Sequence, residues 1–173
     1  LATTIGAVGF HIPEPFTRGT LLPLGVGAGA TWPIPDLVQR ALVISPFLDA
    51  TTTRRIQSGD KPVFVSRPAM YDELGSAPFD HADVRVLDPH AESELTGDEP
   101  ATRPGEVRSG LHAKVLAWDV DRSGHLLTGS ANATVAAFDG NVEFSVLLAG
   151  PRDRCGVPTM LPPGEPSREA IAF

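Results

Sequence analysis

The sequence predicts an α/β fold, a mixed β-sheet flanked by helices. Short β-branched runs recur at 41–47, 62–66 and 84–88, and stretches with helix-capping signals separate them. The 173 residues suit a single domain over 1–173. A hydrophobic share of 42% and a mean hydropathy near zero are enough for a packed core, and they exclude a disordered tail or a fibre.

Residues 1–35 are punctuated by Gly and Pro and read as loop with one strand; residues 151–173 are again Pro-rich, so both flanks are loop-rich. Between them, "ALVISPF" (41–47) is a continuous apolar run suited to a strand buried on both faces. Asp49 or Thr51 can N-cap the helix "TTTRRIQSG", which Gly59 ends. "PVFVS" (62–66) and "VRVLD" (84–88) are further strands. The intervening "PAMYDELG" is helical, with Pro68 suited to its first position. Strand and helix in this alternation require part of the sheet to be parallel. An acidic loop follows at 89–110. Then come a strand (111–119), a turn at "DRSG", a strand (125–129), a short helix (131–138), a turn at "DG" and a strand (142–148).

Fourteen basic against 21 acidic residues give a charge of −7, the wrong sign for non-specific coating of nucleic acid. Phosphate recognition must therefore be local. Twelve of the fourteen cations are Arg, and the two lysines are Lys61 and Lys114. Cys155 is the single cysteine, which excludes an internal disulfide framework and predicts a reduced, cytoplasmic setting. No apolar stretch reaches the roughly 20 residues of a membrane helix. The chain starts at Leu1 rather than Met, which predicts a piece of a longer protein.

The chemistry concentrates in 111–148. His112 and Lys114 share a strand face by the period of two, whereas Asp119 lies on the other face and about 23 Å further along. Ser130 and Asn132 fall where a strand gives way to a helix and backbone N–H groups are unpaired. Glu143 opens the last strand. Imidazole, ammonium, hydroxyl, amide and carboxylate together suit a phosphate centre without a metal. Lys114 and Asn132 can neutralise and bind its oxygens, Ser130 can orient them, and His112 can attack phosphorus if a carboxylate such as Glu143 holds its other nitrogen.

The order His112-x-Lys114-x4-Asp119, then Gly129-Ser130-x-Asn132, resembles the HKD motif of the phospholipase D superfamily, in its compact bacterial nuclease-like branch. Gly140-Asn141-x-Glu143 is similar to the glutamate-bearing segment that follows it there. Nine residues separate Asp119 from Gly129 where six are usual, which predicts a longer hairpin tip at "VDRSGH". The resemblance implies a phospholipase D-like half domain and a phosphodiesterase working through a phosphohistidine. His112 would be nucleophile or general acid, Lys114, Ser130 and Asn132 would bind phosphate, Glu143 would orient His112, and Asp119 would be structural. With one motif, a complete site needs a homodimer or a second HKD half-domain. The expected substrate is nucleic acid, cut without a metal or other cofactor. A phospholipid hydrolase or transphosphatidylase, and a non-catalytic dimerisation or binding module, are the alternatives.

Other candidates receive structural readings. His11, His81, His90 and His125 lie beside turns without metal-ligand spacing and read as surface histidines. "GVGAGA" (25–30) lacks the ending of a phosphate-binding loop and reads as a connection. Ser66 and Arg67 fall at the end of a strand and could share the site's sheet edge, although Arg67 before Pro68 also suits a helix start. Arg103 and Arg108 read as solvated loop cations, and Trp118 as core.

Overall fold

A computed structural model describes residues 9–25, 32–86 and 112–161; the acidic loop, Arg103 and Arg108, His90 and most of "GVGAGA" lie outside them. Seven strands form one sheet: β1 (Arg18–Leu24), β2 (Arg40–Ile44), β3 (Val63–Ser66), β4 (Asp83–Val86), β5 (Val115–Val120), β6 (Ser123–Gly129) and β7 (Glu143–Pro151). Their spatial order is β1-β7-β6-β5-β2-β3-β4. β2, β3 and β4 run parallel, and β5, β6, β7 and β1 continue the sheet antiparallel, so the sheet is mixed as expected.

The parallel half follows from the apolar runs. Ala41, Leu42 and Val43 of β2 are all buried, so both faces of this central strand are covered. Helix α1 (Ala50–Arg55) begins at Asp49, one of the two expected caps, with the Thr52 N–H donating to Asp49 Oδ1 at 2.7 Å. Helix α2 (Pro68–Leu74) begins on Pro68, whose missing N–H costs nothing in a first turn. Tyr71 on α2 is fully buried, and its hydroxyl lies 2.9 and 3.0 Å from the carbonyl oxygens of Phe64 and Arg85 on neighbouring strands. One sheet face carries the larger core, with Val43, Phe64, Leu116, Trp118 and Leu127 packed against Ile56, Tyr71, Phe79 and Phe138. On the other face Leu42, Val63 and Ala117 pack on Val157 of α4 (Val157–Met160), which follows α3 (Arg152–Cys155).

Four expectations are corrected. The strand expected over 111–119 is paired only from Val115: β2 ends at Ile44, opposite Val115, and Thr128 is the last residue of β6 that β5 pairs with. His112 and Lys114 therefore stand off the end of the sheet. The hairpin tip is not lengthened. Val120 pairs with Ser123 across the two-residue turn Asp121-Arg122. The helix expected over 131–138 is replaced by a loop and one π-type turn, Ala136–Gly140, because backbone N–H groups of the loop bond to side chains of another segment. His125 is not a surface residue; it is half-buried on β6 and stacks on Trp118 with ring centroids 5.2 Å apart and planes 2° from parallel.

Candidate active site

Strand direction gathers the candidate residues at one rim. The carboxyl ends of β1, β2, β3 and β6 and the starts of β5 and β7 all meet there, so His112, Lys114, Ser130, Asn132 and Glu143 occupy one end of the sheet. The carboxyl ends of parallel strands are where open α/β sheets place ligands.

Gly129 sets the position of Ser130. Its φ is +158°, and a Cβ there would run into the Phe144 carbonyl oxygen and lie 2.6 Å from Ser145 Cα. The close approach lets Ser130 zip onto β7: its N–H donates to the Phe144 carbonyl at 3.0 Å, and its Oγ accepts the Phe144 N–H at 2.9 Å. The Ser130 hydroxyl in turn donates to Glu143 Oε2 at 2.5 Å, and Asn141 Nδ2 donates to Glu143 Oε1 at 3.2 Å. Ser130, Asn141 and Glu143 thus form one bonded group. Glu143 is joined to Ser130 rather than to His112, whose exposed imidazole forms no hydrogen bond among the described residues. Lys114 folds back, its Nζ donating to the His112 carbonyl oxygen at 3.1 Å.

Asn132 is held by the segment after β2. Ser45 Oγ donates to the Phe47 carbonyl at 2.7 Å and accepts the Ala133 N–H at 3.1 Å, while Asp49 Oδ2 accepts the Val135 N–H at 2.5 Å. The 45–49 loop therefore clamps both sides of the Asn132 loop. Asn132 Oδ1 is buried without a hydrogen-bond partner among the described residues. Ser66 belongs to the same edge, since its hydroxyl donates to the Ser45 carbonyl at 2.7 Å. Arg67 takes the N-cap position of α2 and lays its guanidinium over the Phe47 ring, 5.1 Å from the centroid. Sequence reasoning gave no role to Ser45 or Phe47, and named Asn141 only as part of the Glu143 segment; the small polar residue after β2 was the available signal for the first two.

Asp119 sits at the opposite end of β5, fully buried, where its Oδ1 accepts the Val157 N–H at 3.0 Å and its Oδ2 is 3.8 Å from Arg40 Nη1. It ties α4 to the sheet and takes no part in the rim. No helix among the described residues is long and apolar enough to cross a membrane. No group of three His, Cys, Asp or Glu among them is placed to hold a metal ion.

No family model and no curated protein matches the sequence. The resemblance to the phospholipase D superfamily rests on the motif residues. Among solved structures, the chain is similar to NucT from Helicobacter pylori, at 17% identity and a TM-score of 0.38, over 64% of this chain and 68% of that one. It is also similar to the yeast tyrosyl-DNA phosphodiesterase, at 12% identity and a TM-score of 0.41, over 68% of this chain and 26% of that one. It thus spans about a quarter of the yeast protein.

Proposed function

We propose that this chain is a phosphodiesterase of the phospholipase D type, working through a phosphohistidine, and that it is a metal-independent nuclease on DNA or RNA. The observation that carries the reading is the gathering of His112, Lys114, Ser130, Asn132 and Glu143 at one sheet rim. These side chains supply a nucleophile, a cation, two neutral hydrogen-bonding groups and a carboxylate, the set that phosphoryl transfer at a preorganised site uses.

In the reaction, an imidazole nitrogen of His112 forms a bond to phosphorus as the bond to one ester oxygen breaks. The departing oxygen takes a proton from a second histidine, supplied by a second copy of the chain or by another HKD half-domain. Water then attacks the phosphohistidine, gives up its proton to that second histidine, and releases His112. Lys114 and Asn132 hold the non-bridging oxygens through the transfer.

The bond between Ser130 and Glu143 adds a step. A hydroxyl has one proton, so Ser130 can donate to phosphate only by turning it away from Glu143. Phosphate binding then frees Oε2 of Glu143, and a carboxylate with about four acceptor positions has room for the second nitrogen of His112. Substrate thereby switches Glu143 from holding Ser130 to orienting the nucleophile.

The test is cleavage of single- and double-stranded DNA in EDTA, with His112→Ala as the comparison. Cutting that the variant loses supports the reading; cutting that survives in His112→Ala, or that requires an added metal, overturns the mechanism.

A further inference from the structure

Phe47 is a large apolar residue left 47% exposed at the rim of the candidate site. Its position is fixed rather than loose. Its carbonyl accepts from Ser45 Oγ, and its neighbour Leu48 is bridged to Ala133. Ser45 also holds the Ala133 N–H, so the backbone of Phe47 is tied to the segment that carries Asn132. The guanidinium of Arg67 lies over the ring, 5.1 Å from its centroid. A phenyl ring whose backbone is tied to the Asn132 loop, with a cation on its face, is suited to a flat π-system attached to a phosphate at this rim.

We propose that Phe47, backed by Arg67, is a stacking platform for an unpaired nucleobase next to the scissile phosphate, so that the substrate is single-stranded nucleic acid. The inference rests on the phosphodiesterase reading and names its substrate class. Bases in a duplex are stacked on one another and paired, and their faces are closed to a side chain; in a single strand they are open. The charge of −7 strengthens the argument, because affinity from phosphate neutralisation is weak in an acidic protein and stacking on a base does not depend on net charge. Among the described residues, Arg67 and Lys114 are cations at this rim, placed to seat a phosphate beside the ring.

The experiment measures binding, which does not require turnover. The probes are a fluorescent oligothymidylate, an oligomer of the same length made of abasic sugars, and vesicles of anionic phospholipid. The proteins are the full chain and its Phe47→Ala, Phe47→Trp and Leu37→Ala forms. Leu37, 68% exposed just before β2 at the other end of the sheet, is the control for loss of an exposed apolar side chain. Phe47→Ala should bind oligothymidylate about tenfold more weakly, Phe47→Trp should keep or improve binding, and the abasic oligomer should bind all forms alike. Circular dichroism checks that each variant is folded. Equal weakening on both oligomers, no change in Phe47→Ala, no binding by the parent chain, or Phe47-dependent binding to vesicles instead would each overturn the platform. If the expected binding pattern is found but cutting survives in His112→Ala or requires an added metal, the platform stands and the phosphohistidine reading fails.

Discussion

The Ser130 hydroxyl donates to Glu143 Oε2 at 2.5 Å while its oxygen accepts the Phe144 N–H, so one serine joins the end of β6 to the start of β7. The proposed switch predicts that the two side chains act as a unit. Ser130→Ala and Glu143→Gln should each lower kcat by about 10²-fold, and the double variant should lose much less than the product of the two. Steady-state kinetics of the double-mutant cycle on a labelled oligonucleotide checks this; strictly multiplicative losses would refute the coupling.

His112 is exposed and its imidazole makes no hydrogen bond among the described residues, so its removal should cost chemistry and not stability. His112→Ala should reduce turnover by at least about 1000-fold and change the unfolding free energy by less than about 0.5 kcal/mol. Urea denaturation alongside the cleavage assay separates the two effects.

Asp119 belongs to the same sequence motif but is buried at the opposite end of β5, where it accepts the Val157 N–H. Asp119→Ala leaves the buried Val157 N–H without its acceptor and should destabilise the protein by about 1–3 kcal/mol. Phosphodiesterase activity per folded molecule should stay within a few-fold of the parent chain. A folded Asp119→Ala protein without activity would place this residue in the reaction.

At Gly129, any Cβ collides with β7. Gly129→Ala should cost more than about 1 kcal/mol and displace Ser130, lowering stability and activity together. Thermal unfolding and oligonucleotide cleavage report the two effects.

Burial pushes the pKa of His125 below its ordinary value of 6.5, the charge of Arg18 adds to the effect, and Asp119 opposes it. Because the folded state resists protonation, the unfolded chain binds the proton first. This residue's contribution is therefore complete above pH 6.5 and declines as pH falls through 6.5 towards the folded pKa. Urea midpoints at pH 7.5 and 5.5 should differ more in the parent chain than in His125→Phe, which keeps the ring stacked on Trp118.

The sequence by itself determined the alternation of strands and helices over 41–86, a cap at Asp49 or Thr51, the helix start at Pro68 and the separation of Asp119 from the other motif residues. These depend on local periodicity, capping and the two-residue period of a strand, all of which a single segment carries. It also pointed to the five candidate residues, through their order along 112–143. Tertiary structure decided what those residues touch. Glu143 bonds Ser130 because β6 and β7 pair in a register that Gly129 permits, and register between strands is a long-range property. His112 stands off the sheet because β2 ends opposite Val115 and pairing with β6 also stops at Val115, a limit set across strands and not by its own segment. The segments that carry Phe47 and Asn132 are joined by the bonds of Ser45 and Asp49 to residues 88 and 86 positions away, a pairing that no local pattern encodes.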